Sequence, residues 1–285
     1  MVLATMIWGV SFVAQSVGME SIGPLTFQTF RCLLAFLFLS MMLFCIAPGK
    51  FLQRWNNKKL WFSGGLAGVA LFIAGNLQQI GIMYTSAGKA GFLTAMYIVM
   101  VPVIGRILGS RINKNVIISI FIAIAGLYML SCAGVTDINI GDISLLGGAF
   151  FYSIQITIID RTAGGQDGIE FNCIQSLVAA VLTAVCMFLF EEPKVDSILV
   201  CWLPLAYTGV LSMGVAFTLQ IKCQQCLEPT TASLLMSLES VFAALAGWLI
   251  LHERMTGAEL LGCLLLFCAV IISQLPVKEK AKQQK

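Results

Sequence analysis

Apolar residues fill this chain in long runs separated by short polar turns. A bilayer-crossing helix needs roughly 20 consecutive, mostly apolar residues. Ten runs approach that length, at about 2–17, 25–47, 61–84, 90–108, 115–133, 143–162, 172–190, 199–221, 231–251 and 258–275. The pattern predicts an all-α integral membrane protein of about ten transmembrane helices. The first run is short, and a start chosen too far downstream would explain its length. A signal peptide would need a basic segment ahead of it and a small-residue cleavage site. Neither is present, so a retained helix is expected.

The runs repeat. Ala90 through Gly105 matches Ala232 through Gly247 at a constant shift of 142 positions, which sets Leu93 on Leu235, Val99 on Val241 and Tyr97 on Glu239. Gln78 falls on Gln220 in the same register. Earlier in each half the shift is 144, pairing Trp8 with Tyr152, Ser11 with Gln155, Phe27 with Phe171 and Arg31 with Gln175. Two related halves in so apolar a chain are a transporter signature. Residues 1–133 are expected to form one five-helix repeat and 142–276 a second. An odd number of spans per half gives the halves opposite orientations, making the repeat an inverted one. The turn-rich segment 134–141 joins them, and 277–285 is a basic cytoplasmic tail.

Composition agrees. Hydrophobic residues make up 59% of the chain and charged ones 11%, against about 25% charged in soluble domains. The few charges are unevenly placed. With both termini in the cytoplasm, the inner segments hold Lys50, Arg54, Lys58, Lys59, Arg106, Arg111, Lys114, Arg161, Lys222 and the tail lysines, from Lys278 to Lys285. The outer segments hold Lys89, Lys194 and Arg254 with the acids Glu20, Asp137, Asp142, Glu191, Glu192 and Asp196. By the positive-inside rule this predicts a multi-pass protein of the cytoplasmic (inner) membrane with both termini inside. Short connections predict that neighbouring spans pack as antiparallel pairs.

Several features read as ordinary membrane packing. Cys32, Cys45, Cys132, Cys173, Cys186, Cys263 and Cys268 lie within apolar spans, where cysteine acts as a small hydrophobe. Cys223 and Cys226 form a C-x-x-C without a companion pair or histidine, which is weak evidence for metal or redox chemistry. Gly64 and Gly68 form a G-x-x-x-G, as do Gly105 and Gly109, a pattern that lets helices approach closely. Gly247 occupies the place of Gly105 in the second half, so both equivalent helices are expected to meet a neighbour there in the same way.

Polar groups inside the spans carry the functional signal. A charge in the bilayer is costly and needs a partner, water or a purpose. Glu239, in the ninth span, and Arg31, two turns into the second, are the two such charges. Glu239 is the candidate for proton or substrate coupling, and Arg31 for the substrate cavity; the competing reading is that each fixes helix register, or that they pair with each other. Around them stand Trp8, Ser11 and Gln15; Asn76, Gln78 and Gln79; Thr94 and Tyr97; Tyr152 and Gln155; Gln175; and Gln220. Any one glutamine is often interhelical glue. As a set, with Trp8–Tyr152, Gln78–Gln220 and Tyr97–Glu239 in equivalent places, they predict a polar cavity between repeats. The aromatic members suit a planar or apolar substrate.

Other chemistries lack their residues. No G-x-x-x-x-G-K-[ST] loop is present and no G-x-S-x-G. The single histidine, His252, lies in a loop beside Glu253 and Arg254. No enzyme activity, metal site, cofactor or nucleic-acid partner is expected; the partners are a small-molecule substrate and the bilayer, with monomer and homodimer both open.

Trp8-Gly9, Pro24 with Arg31 and Ala35, TSAGKAGFL from Thr85, Val101-Pro102, ASLLMSLE from Ala232 and His252-Glu253-Arg254 before Gly262 together resemble the EamA-type branch of the drug/metabolite transporter superfamily. The resemblance covers essentially the whole chain. It implies ten helices as two inverted five-helix repeats, both termini inside, and transport of small metabolites, often export of amino acids. It also implies a central cavity among the helices bearing Trp8, Asn76, Tyr97 and Glu239. The family often has Glu-Pro in the ninth span. Here Ser240 follows Glu239, so that helix is expected to lack the usual kink. Likewise Ser110-Arg111 stands where the family often has Glu-Arg. The expected function is a secondary transporter exporting small metabolites such as amino acids by alternating access. The alternative is a non-transporting membrane protein, a sensor or accessory subunit.

Overall fold

The structure, a computed structural model, describes residues 1–50, 54–85, 87–110, 114–131, 139–250 and 256–275. Arg111, Cys132, Asp137, the segment of His252, Glu253 and Arg254, and the basic tail lie outside the described residues. The elements are α1 (Val2–Gly18), α2 (Pro24–Ile46), α3 (Lys58–Ile82), α4 (Ala87–Ala95), α5 (Tyr97–Ile107), α6 (Lys114–Ser131), α7 (Ile140–Thr162), α8 (Gly168–Phe190), α9 (Val195–Val200), α10 (Trp202–Ala206), a π-helical stretch Tyr207–Ala216, α11 (Phe217–Gln224), α12 (Pro229–Met236), α13 (Glu239–Ile250) and α14 (Gly257–Gln274). Among the described residues there is no strand. Among the described residues seven helical spans are long and apolar enough to cross a membrane, and three shorter apolar helices accompany them. The chain is an all-α membrane protein of about ten spans.

Residue polarity is arranged for a lipid solvent. Phe62, Ile107, Phe188 and Phe190 lie exposed on the outside, whereas Gln79, Gln155, Asn172 and Gln175 are fully buried. Lipid is as apolar as leucine, so burial of side-chain amides between helices, not of leucine, distinguishes the interior.

Helix starts follow capping rules. Asn57 accepts from the Leu60 amide, Asp167 from Ile169 and Glu170, and Asn139 with Asp142 forms a capping box. The start of α2, with Pro24 in its first turn, is capped from afar: the Glu191 carboxylate accepts from Leu25 N at 2.9 Å and Thr26 N at 2.8 Å.

Lateral packing departs from the antiparallel-neighbour expectation. The main partner of α2 is α8, that of α6 is α14, and α3 lies against α7 and α8. Similarly α1 packs on α13 and on the π-helical stretch, and α5 on α7. Short loops set helix direction but not which faces touch; small residues decide that. Gly64 and Gly68 of α3 receive Ile174 and Val178 of α8, within one chain. Gly9 brings α1 onto α13 so closely that a Cβ there would fall 2.4 Å from Phe242 Cβ. Gly105 does not behave as expected: among the described residues a Cβ there would meet the Ser110 side chain, in its own following turn. Its partner Gly109 serves that turn with φ +90°.

Two spans are broken. The helix of the fourth is interrupted at Met96, between α4 and α5, and that of the ninth at Ser237–Leu238, between α12 and α13. In the fourth, the Met96 amide bonds three residues back to Leu93 and the Val99 amide three back to Met96, while Pro102 lies further on, inside α5. The ninth was expected to be unkinked for want of a proline, and it breaks all the same. There Ser237 turns its hydroxyl back on the Leu234 carbonyl at 2.7 Å, and the amide of Leu238 bonds three residues back to Leu235. Serine back-bonding of this kind bends helices. Tyr97 and Glu239 thereby become the first residues of the second half-helices.

Candidate functional site

One cavity lies among α1, α2, α3, α4, α5, α7, the π-helical stretch, α11, α12 and α13. The non-atom space around its side chains, interatomic gaps and adjoining open solvent included, is about 450 Å³. Trp8, Ser11, Arg31, Gln78, Tyr97, Tyr152, Gln155, Gln220 and Glu239 line it, as do Gln15 and Thr94. Asn76, Gln79 and Gln175 do not. Asn76 donates to Thr183 Oγ1 at 3.1 Å and ties α3 to α8. Gln79 is fully buried away from the cavity wall. Gln175 stands one step behind, accepting from Gln155 Nε2 at 3.2 Å and donating to Asn172.

The two charged residues occupy separate settings. Tyr97 donates its hydroxyl to Glu239 Oε1 at 2.8 Å, joining the starts of α5 and α13. Arg31 donates from Nη1 to Gln15 Oε1 at 2.7 Å and, at a long 3.5 Å, from Nη2 to Ser212 Oγ. Gln15 is held in turn by Ser11, whose hydroxyl also reaches Ser212. Arg31 and Glu239 do not pair; the ion pairs between described residues are Arg54–Glu170 and Lys89–Asp142. A third set links Tyr152 to Gln78 at 3.0 Å and Gln78 to Thr94. On the wall, Trp8 and Phe217 meet edge to face, centroids 5.2 Å apart. The cavity thus offers one carboxylate, one guanidinium, several amides and hydroxyls, and an aromatic surface.

Sequence reasoning passed over Phe12, Ile156, Ser212, Phe217 and Met236, which also line the space. Four are apolar residues in apolar runs, with no signal to separate lining from packing. Ser212 stands in the part of the eighth span that is π-helical, from Tyr207 to Ala216. The wider turns free carbonyls, and Asn172 answers those of Met213 and Gly214 at 2.8 and 2.9 Å. Such stretches are rare and frequent at functional sites. Among the described residues no cluster of three or more His, Cys, Asp or Glu could hold a metal ion.

The EamA-like transporter family model matches twice, over residues 1–132 and 139–275. The chain belongs to that family. It is accordingly a membrane transporter within the drug/metabolite transporter superfamily. It is 31% identical to an uncharacterized transporter of Archaeoglobus fulgidus, over 96% of this chain and 84% of that protein. It is 25% identical to the uncharacterized transporter YoaV of Bacillus subtilis, over 94% of this chain and 93% of that one. A crystal structure of a protein with 17% identity shares the fold, with a TM-score of 0.71 over 95% of this EamA-like chain and 96% of that one.

Proposed function

We propose that the protein is a secondary transporter that exports small metabolites, amino acids among them, across the cytoplasmic membrane by alternating access, with Glu239 coupling substrate to protons. The observation that carries this reading is the Tyr97–Glu239 bond. It joins residues 142 positions apart, the shift that relates the two halves in this region. Two equivalent residues touch only where the operation that exchanges the halves leaves position nearly unchanged. The carboxylate therefore stands where both halves meet, at the break in each broken helix, the setting of substrate sites in repeat transporters.

Packing supports two five-helix repeats, at 1–133 and 142–276, related by such an exchange. The second-helix equivalents α2 and α8 pack on each other, as do α6 and α14. The pair α1–α13 has its counterpart in α7–α5, and α4–α13 in α12–α5. In this reading the repeats are inverted, and the cavity opens to alternate sides as one half rocks against the other.

The polar ends support the orientation. Arg161 donates to the Leu108 carbonyl, and Arg54 pairs with Glu170. That end holds the basic segments and is assigned to the cytoplasm. Lys89–Asp142 and Glu191 on α2 occupy the opposite end. In a background without exposed native cysteines, a cysteine at 58 should resist an external membrane-impermeant thiol reagent and one at 192 should react. The reverse labelling would overturn the orientation.

Function is tested by reconstitution in liposomes with a panel of amino acids and small metabolites. Labelled solute should exchange across these membranes faster than across protein-free ones, and faster with an imposed proton gradient. Failure to move any member would overturn the proposal.

A further inference from the structure

We propose that Arg31 is the residue that recognises substrate, and that it takes the carboxylate of an organic acid whose apolar body lies on the Trp8–Phe217 wall. This rests on the transporter reading above and names the chemistry of its substrate.

Arg31 is 2% exposed, yet its described partners are neutral: Gln15 at 2.7 Å and, at 3.5 Å, Ser212. A guanidinium carries five N–H groups, and these bonds use two of them. The buried Nε has no partner among the described residues. Buried charges ordinarily have a counter-charge: Lys89 has Asp142 and the less deeply buried Arg54 has Glu170, whereas Glu239, 5% exposed, takes its bond from the neutral Tyr97 hydroxyl. Arg31 lacks one and lines the cavity. A carboxylate fits the planar fork of donors bidentately and would supply the missing charge.

The surroundings hold the guanidinium in place without neutralising it. Gln15 presents its oxygen to Arg31 because its nitrogen is committed to Ser11. Ser212 arrives through the π-helical stretch, and Gly209 of the same stretch leaves room beneath the Arg31 carbonyl, where a Cβ would come within 3.1 Å. Asn172 stabilises that stretch through the Met213 and Gly214 carbonyls. The equivalent residue of the other half, Gln175, is off the cavity and spent on Gln155 and Asn172. The anion site therefore exists in one half only. A substrate would lie with its acid toward α2 and its other polar group toward Glu239 at the centre.

The test uses full-length protein in nanodiscs, titrated calorimetrically with leucine, phenylalanine, their carboxamides and 3-phenylpropionate. Wild type should bind each acid at least about tenfold more tightly than its carboxamide, the ratio a charge-assisted bond supplies. In Arg31→Gln that ratio should collapse toward one, and Arg31→Lys should recover part of it. Equal binding of acid and carboxamide by wild type overturns the proposal without any variant, while leaving transport itself standing. A folded Arg31→Gln that keeps the wild-type ratio also overturns it. Wild type that binds no member, and moves none in liposomes, overturns the transporter reading and this one together.

Discussion

Glu239→Gln is expected to reach the membrane folded and to lose proton-driven transport. The amide keeps the shape of the carboxylate and an oxygen to accept from Tyr97, so the bond that measures 2.8 Å in wild type has a replacement. What disappears is titration. Low dielectric raises the cost of charge on any isolated acid, and a group poised there can load a proton when the cavity faces one side and release it at the other. Glutamine cannot. Uptake into proteoliposomes driven by a pH gradient should fall at least about tenfold, the loss that 1.4 kcal/mol on the limiting barrier produces. Exchange of labelled for unlabelled solute at equal pH should survive, because binding and reorientation do not require the proton. An unchanged pH dependence would remove Glu239 from proton coupling. Loss of folded protein would make the residue a structural one, held by Tyr97.

The spans and their limits were legible because a bilayer demands length and hydropathy, and both are linear properties of sequence. The likeness of Ala90–Gly105 to Ala232–Gly247 is itself a linear property, since the two segments align without gaps. Which face of a span looks inward was much less so. Gln78 and Gln79 are neighbours, about 100° apart on a helix, and both are buried, yet Gln78 lines the cavity and Gln79 does not. A soluble helix would separate them by its apolar stripe, but a helix in lipid is apolar on every face and has no such stripe. The breaks were hidden for a different reason. Pro102 lies six residues past the break at Met96 and so does not mark it, and the other break hangs on the Ser237 hydroxyl, while serine is common in unbroken spans. The π-helical stretch had no sequence mark at all, since its sign is the distant Asn172 filling the widened turn. Pairing across the structure was likewise invisible: Arg31 could not be assigned to Gln15 rather than Glu239 from the chain alone.

Neutralising one partner of the Lys89–Asp142 pair is expected to be the most damaging change outside the cavity. The two approach to 2.7 Å with side chains 10% and 5% exposed. Asp142 has a second duty, since the same oxygen accepts from Asn139 N to close the capping box of α7. Lys89 belongs to α4 and Asp142 to α7, so the bond ties the short helix that leads to Tyr97 to α7. Lys89→Met fills similar space but strands a buried carboxylate. Asp142→Asn keeps the cap and removes the carboxylate that the Lys89 ammonium meets at 2.7 Å. Breaking a buried pair from one side costs about 3–5 kcal/mol, and either change should lower the thermal midpoint of detergent-solubilised protein markedly. The double variant leaves no charge behind, so its loss should be smaller than the two single losses combined, by about 0.5–3 kcal/mol of coupling. Strict additivity in that cycle would mean that the two groups act independently despite their contact. Single variants as heat-resistant as wild type would mean that the pair contributes nothing to holding α4 against α7.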